Sequence, residues 1–409
     1  MIGAGVSGLI AALVLEGAGF YPTLIEATDR AGGRVKTDTI DDFLLDRGFQ
    51  VMLSNYPAAQ KYLDFHKLSL QKFKPGAAIF MNGKQKVVSD PTRDPFALFS
   101  TLLSGIGQFS DYFKILKLVI TLKKKSLCEI FDSPEQTTKE YLLTLGFSSQ
   151  IIDAFFSPFF TGIFLETDLE TSSRMFEFVF KMFSEGSAVI PKGGIEEISK
   201  QLHSKLKHTD FRFNTEVTSV ENKKIMLSSG EFLRSDATII ATDSKKLIKT
   251  NKANPHSWKS CQTLYFKTKK RVISKPYIGL IPSKNCLINN IFYPTCLNKN
   301  HLKEELLCVT VVKKHHFSKT ALVAVVTEEL KKECNIQGVQ FLKQYDLAKA
   351  LPRLTNLQYV VSPLETQITD TLFLAGDLQL NGSLNGAMLA GEKAAVGVLE
   401  NFKKLGIIG

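Results

Sequence analysis

The apolar positions of this chain change period along its length. Val6, Leu9, Ile10, Leu13 and Val14 recur at helical spacing until Gly17 and Gly19, which predicts a helix. Thr23-Leu24-Ile25 then forms a short apolar run that stops at Glu26, a strand pattern. Phe213 to Val220, Lys224 to Leu227, the turn at Ser229-Gly230 and Asp236 to Thr242 predict a strand meander feeding a buried strand. Tyr56 to Gly186 is mainly helical in pattern, and Lys245 to Gln344 includes a strand at Gln262–Phe266. Near the C-terminus Thr371-Leu372-Phe373-Leu374-Ala375 is a strand pattern, and Ala387, Ala390, Gly391, Ala394 and Ala395 mark a closely packed helix. Strands alternating with helices imply an α/β fold. With 409 residues, 44% of them hydrophobic, the chain can bury two domain cores.

The loop before the first helix carries chemistry. Gly3, Gly5 and Gly8 form G-x-G-x-x-G directly after Ile2, and Glu26 ends the next strand. Gly3 allows a tight turn, Gly5 removes a Cβ where backbone must approach a pyrophosphate, and Gly8 lets the helix sit close to the sheet. The helix N-terminus offers free N–H groups and partial positive charge, and a carboxylate at Glu26 can accept hydrogen bonds from ribose hydroxyls. This is a dinucleotide-binding unit. Only Met1 and Ile2 precede Gly3, shorter than an ordinary buried strand, so a start upstream of Met1 is an expectation of this reading.

Six residues after Glu26 comes Gly32-Gly33-Arg34, and the C-terminal strand runs into Gly376-Asp377, then Ser383-Leu384-Asn385-Gly386-Ala387. Together these motifs resemble the flavin-containing amine oxidoreductase superfamily, which includes amine oxidases, protoporphyrinogen oxidases and carotenoid desaturases. The resemblance implies a Rossmann-type FAD-binding domain, a parallel sheet with a β meander, over 1–54, 187–244 and 346–409. It also implies a discontinuous α+β substrate domain over 55–186 and 245–345. Ile190-Pro191-Lys192-Gly193-Gly194 is similar to the family's crossing back into the FAD domain. FAD contacts would come from Gly3, Gly5, Val6, Ser7, Gly8, Glu26, Ala27, Gly32, Gly33 and Arg34. Further contacts would come from Gly48, Phe49 and Gln50 beside the ring, the Val217 backbone at the adenine, and Gly376, Asp377, Leu384, Gly386 and Ala387. No cysteine lies near the C-terminal motif, so FAD is expected to be non-covalent.

The substrate side is less specific. Phe155, Phe156, Phe159, Phe160, Phe164, Phe176, Phe178, Phe180 and Phe183 fit a packed core and also fit the wall of a pocket for a large apolar substrate. Phe156, Phe160, Arg174 and Tyr265 are candidate pocket residues. Arg174 either anchors a polar substrate end or pairs with Glu170 or Glu177. Amine oxidases carry a lysine inside the strand ending in an aromatic pair, whereas Ser260 to Phe266 has none, although Lys259 and Lys267 flank it. The aromatics that those enzymes place before the final Gly-Ala are also missing from Leu380-Asn381-Gly382-Ser383. The motifs look more like the plant and cyanobacterial carotenoid desaturases. That implies FAD-dependent dehydrogenation or isomerisation of an apolar, isoprenoid-like substrate, with a quinone or oxygen as acceptor. A protoporphyrinogen- or amine-oxidase type of activity is the alternative, and a non-catalytic flavin-binding protein is a second.

Charge and cysteine content narrow the remaining partners. Six cysteines without C-x-x-C spacing give neither a zinc site nor a disulfide framework, and are expected to be reduced and buried. His315-His316 has no partner at metal-ligand spacing and reads as surface. The net charge of +11 comes from dispersed lysine clusters, without the basic stripe and interleaved aromatics of a nucleic-acid binder. Pro95 to Ser110 lacks charge, and Tyr112 to Lys125 adds Phe113, Leu116 and Ile120 with nearby lysines. This pattern fits a helix lying on a membrane surface and equally a core helix pair with a solvated lysine end. The chain has no basic n-region and no run long enough to span a bilayer. It is therefore expected to be cytoplasmic, or peripheral on the cytoplasmic membrane face, and not secreted.

Overall fold

The computed structural model describes residues 1–89, 105–248, 257–297 and 303–407. Two sheets dominate. The first is parallel and runs, edge to edge, through Asp210–Arg212, Thr23–Ile25, the bridge residue Ile2, Thr238–Ile240 and Leu372–Leu374, with Gln367–Thr369 antiparallel at the far edge. Its centre is brief: Ile2 donates to Ile239 O at 2.9 Å, and Ala241 N donates back to Ile2 O at 2.8 Å.

Strand alternation distributes its side chains between two faces. Leu24, Ile239 and Phe373 point to the side covered by the first helix, Val6–Gly17, and the last helix, Leu384–Lys404. Ile2, Ile25, Ile240, Leu372 and Leu374 point to the other side, where Val217, Val220, Ile225 and Leu227 of the meander cover them. The meander itself is Val217–Glu221, Lys224–Leu227 and Phe232–Arg234, as the pattern predicts. Phe213 departs from that reading, because it follows the strand Asp210–Arg212 instead. The chain turns between the two strands at Asn214, which has a positive φ and donates its N–H to Thr28 O.

The two covering helices cross very closely. A Cβ on Gly391 would lie 2.2 Å from the Ser7 carbonyl oxygen, so only glycine fits at the crossing. The Ser7 hydroxyl in turn donates to Ala387 O. The stripe of small residues in the last helix thus has a packing cause.

The second sheet has seven strands in the order Gln340–Arg353, Ser257–Thr268, Glu305–Val311, Ile288–Phe292, Ile278–Leu280, Gly76–Met81 and Lys84–Ser89. Leu322, Val326 and Leu330 of the helix Lys319–Cys334 cover one face at spacings of four. The helical expectation for residues 56–186 therefore omits the edge hairpin Gly76–Ser89, whose apolar run Ala77–Phe80 is buried by its neighbours. The strand Gln340–Arg353 passes across the boundary expected at 345/346. Helices Phe109–Lys124, Ser157–Phe164 and Ser173–Glu185 complete this half, while Pro95 to Ser104 lie outside the described residues.

Replacing Gly391 with Ala tests the helix crossing. A methyl group at 2.2 Å must push the helices apart, and overpacking of this kind costs about 1–3 kcal/mol. A lower denaturation midpoint for Gly391→Ala is expected in urea titration, and an unchanged midpoint would show that the helices do not meet this closely.

Candidate active site

The glycine turn faces a cavity of about 1540 Å³ that continues from the parallel sheet to the seven-stranded sheet. Gly3, Gly5, Val6 and Ser7 line it together with Gly32, Gly33 and Arg34. The glycines differ in what surrounds them. A Cβ on Gly8 would meet the Gly3 carbonyl oxygen at 2.0 Å, whereas one on Gly5 would find nothing nearer than Gly33 Cα at 3.9 Å. Gly8 thus closes the turn, and Gly5 keeps open space in the cavity. No side chain caps the helix behind Gly5, so its N-terminal field is directed at that space.

Glu26 reaches the cavity while organising the turn: Ala4 N donates to one oxygen at 2.8 Å, and Thr28 N and Oγ1 donate to the other at 3.0 and 2.7 Å.

The C-terminal motif enters from the opposite end of the sequence. Gly376, Asp377, Leu384 and Ala387 line the same cavity, and Asp377 forms an ion pair with Arg34. Arg34 also donates to Ala350 O at 3.2 Å and lies 5.5 Å from the centre of the Trp258 ring. Ser383 caps the last helix by accepting from Gly386 N at 2.9 Å, and its own hydroxyl donates to Asn381 at 2.6 Å. A second helix N-terminus therefore borders the cavity.

Gly48, Phe49 and Gln50 line the cavity after the hairpin of Thr37–Ile40 and Phe43–Asp46, and the Gln50 amide donates to the carbonyls of Arg34 and Arg47, both at 2.8 Å. Buried charge fixes that hairpin. Asp38 accepts from Arg47 at 2.9 and 3.0 Å, from Arg30 at 3.0 Å and from Tyr345 at 2.8 Å, and Arg47 chiefly holds its carboxyl far below the usual carboxylate range. Asp46 accepts from Thr37 Oγ1 at 2.6 Å and Ile195 N at 3.0 Å, just past the Pro191–Gly194 turn, yet burial pushes its carboxyl up to about 6.

Other candidates lie elsewhere. Ala27 is exposed outside the cavity lining, and Val217 is buried in the sheet–meander core. Gly8 and Gly386 sit behind the lining residues.

The phenylalanines divide between two jobs. Phe155, Phe159, Phe160, Phe164, Phe180 and Phe183 line the cavity, whereas Phe156, Phe176 and Phe178 are buried behind them. Phe156 is thus corrected to core. It lies in the π-turn Ile152–Phe156, whose wider winding shifts the helical phase that a 3.6-residue reading assumes. Tyr265 is also corrected, being buried between the seven-stranded sheet and the strand Phe43–Asp46, with its hydroxyl donating to Asp46 O at 2.8 Å. Arg174 lies outside the cavity lining and pairs with Glu135 at 3.3 Å, rather than with Glu170 or Glu177. Its Nε also donates to Ser133 O at 2.7 Å, while Glu177 is engaged by Lys125 and Tyr141.

Lys259, expected to flank a strand over Ser260–Phe266, lies inside the strand Ser257–Thr268 and lines the cavity. Its ammonium donates to Thr171 Oγ1 at 2.8 Å and has no ion-pair partner among the described residues. Burial pulls it below the usual lysine range, with Glu166 acting the other way. Cys261, two residues on, also lines the cavity, and burial pushes its thiol up to about 12, which keeps it protonated and a weak nucleophile. Of the remaining cysteines, Cys128 is exposed and Cys296 half-buried, contrary to the expectation that all are buried.

Residues 6–399 match the family described as flavin containing amine oxidoreductase. The chain belongs to that family. FAD is accordingly its cofactor. Among curated relatives, it is 33% identical over 156 residues to an L-amino-acid oxidase of Gloydius halys, covering 36% of this chain and 31% of that protein. The corresponding enzyme of Bungarus fasciatus is 30% identical over 220 residues, 50% of this chain and 42% of its own length. The matches thus span less than half of either relative. Among solved structures, an oxidoreductase from Methanosarcina mazei superposes with a TM-score of 0.73 at 17% identity, over 98% of this chain and 99% of that one. A candidate protoporphyrinogen oxidase from Exiguobacterium gives 0.71 at 17% identity, over 98% of both chains. Cyclohexylamine oxidase from Brevibacterium oxydans gives 0.65 at 16%, again over 98% of both. At these identities the structural likenesses establish the fold of this flavoprotein.

The two turn glycines make separable predictions. Gly5→Ala is expected to leave unfolding stability within about 0.5 kcal/mol while lowering bound flavin, measured as visible absorbance per protein. Gly8→Ala is expected to lower both; flavin retained at full occupancy in Gly5→Ala would count against the cradle. For Asp46, the folded pKa near 6 exceeds the unfolded value of about 3.9, so stability is greatest when it is protonated and falls as pH rises through this interval. Asp46→Asn should remove that loss. Relative to wild type it should gain on the order of 2 kcal/mol between about pH 4 and about pH 7 in paired denaturation curves.

Proposed function

We propose that the protein dehydrogenates or isomerises a large apolar, isoprenoid-like substrate, passing a hydride to FAD. The observation that carries this reading is the continuity of the cavity, from the glycine cradle past Asp377 to a wall of six phenylalanines. Such a wall excludes water and holds an apolar chain by contact rather than by hydrogen bonds. FAD, when bound, supplies the hydride acceptor, so little acid–base chemistry is asked of the protein. Gly5 and Gly33 let backbone approach the pyrophosphate, and the N-termini of the first and last helices favour the negative charge of the phosphates and of the reduced ring. Arg34 and Asp377, already paired, give the ribityl chain one donor and one acceptor.

A second reading has a specific observation in its favour. The half-buried Lys259 ammonium, bonded to Thr171 and without an ion pair among the described residues, suits a substrate carboxylate, as an amino acid or a porphyrinogen would present. It also disfavours a protonated amine without an accompanying acid. The L-amino-acid oxidase relatives and the Exiguobacterium neighbour name enzymes for substrates of this kind.

Anaerobic mixing of the flavin-loaded protein with a lipid extract, with L-amino acids and with amines separates these readings. The visible flavin bands are expected to bleach with the lipid extract. Bleaching by amino acids alone would replace the first reading with the second. In that case Lys259→Met should raise KM by about 10- to 100-fold, the worth of a charge-assisted hydrogen bond. Admitting air or adding a quinone to the bleached sample then identifies the acceptor.

A further inference from the structure

The helix Phe109–Lys124 turns one apolar row away from the protein. Phe109, Phe113, Leu116 and Ile120 follow spacings of four, three and four, which puts them on one stripe, and they are 64, 63, 42 and 49% exposed. The same helix walls the cavity, since Phe109, Tyr112, Phe113, Ile115, Leu116 and Val119 line it. Three stripe residues thus both border the cavity and face solvent, so an opening of the cavity lies in an exposed apolar patch.

The charges around the stripe identify what it fits. Lys117 and Lys124 follow Leu116 and Ile120 by one and four residues, on one shoulder of the stripe, and Lys123 stands on the other. All three are exposed, and no ion pair engages them among the described residues, whereas Lys125 is used internally by Glu177. Lys114 also turns inward, donating to Gly146 O beside the exposed Leu145. A second copy of the chain would bring these lysines against their equivalents. An anionic lipid surface instead takes the stripe among its acyl chains and the lysine heads among its phosphates. No helix of the described residues is long and apolar enough to cross a membrane, so the contact is one of lying on the surface.

We infer that this helix docks the protein on a bilayer containing anionic lipid, with the cavity mouth against the lipid. The docking rests on the surface alone. Delivery of a water-insoluble substrate through that mouth rests additionally on the apolar-substrate reading above.

Flotation of the flavin-loaded protein with vesicles of phosphatidylcholine, and of phosphatidylcholine mixed with phosphatidylglycerol, tests the docking without any substrate. Binding to the mixed vesicles is expected to exceed binding to the neutral ones and to weaken with added salt. Lys117→Glu, Lys123→Glu and Lys124→Glu together are expected to lower affinity for the mixed vesicles on the order of a hundredfold. Ile120→Ser with Phe113→Ser is expected to abolish the binding that persists at high salt. Far-ultraviolet circular dichroism confirms that each variant is folded, and the triple lysine variant, altered only at exposed positions, decides the matter if the stripe variant is not. Wild-type protein that fails to float with the mixed vesicles would overturn the inference. So would a dimer in light scattering that Ile120→Ser dissociates, because a second copy would then own the stripe.

Discussion

Everything at the site depends on the approach of two helices that are 380 residues apart in sequence. Ser7 and Gly391 meet with no room for a Cβ, and Ser7 bonds to Ala387 one turn earlier. This crossing aims both helix N-termini into one cavity, and so puts two partial positive charges where a dinucleotide carries its negative ones. The Arg34–Asp377 pair joins the two halves again in front of the crossing. With either helix displaced, each half keeps its motif but the cavity loses a wall.

The chemistry is then divided by distance from the crossing. Near it, the cavity is backbone, glycine and paired charge, suited to a polar cofactor. Farther away six phenylalanines form one wall, and Lys259, bonded to Thr171, is among the polar residues that border it. Half-buried ion pairs of Asp38 with Arg30 and Arg47, the latter at the cavity lining, hold the hairpin that carries Gly48 to Gln50.

Much of this was legible in the sequence, because glycine spacing reports backbone geometry directly. Gly3, Gly32, Gly376 and Gly391 each mark a turn or close approach that disfavours any other residue type. The meander followed from its strand patterning and turn residues, and the parallel strands from short continuous apolar runs. What escaped depends on tertiary context. Side-chain direction in the phenylalanine stretch is reset by the π-turn at Ile152–Phe156, and the sequence pattern there gives no sign of it. The partner of Arg174 is chosen by which acid is free in space, and Glu177 is already taken. Lys259 is inside its strand rather than beside it, because pairing with Leu351 to Arg353 extends the strand back to Ser257.

The two halves of the site are also made far apart in time. The glycine turn is made long before Asp377, Ser383 and Ala387, so a nascent chain holds an open half-site until the helix Leu384–Lys404 is released. The central position of Ile2 between Ile25 and Ile240 repeats the point, since its second neighbour is made more than two hundred residues later. Closure of such distant contacts is entropically slow. A ligand that binds only the closed form draws the fold to completion by mass action, which makes cofactor supply a determinant of how much folded protein accumulates.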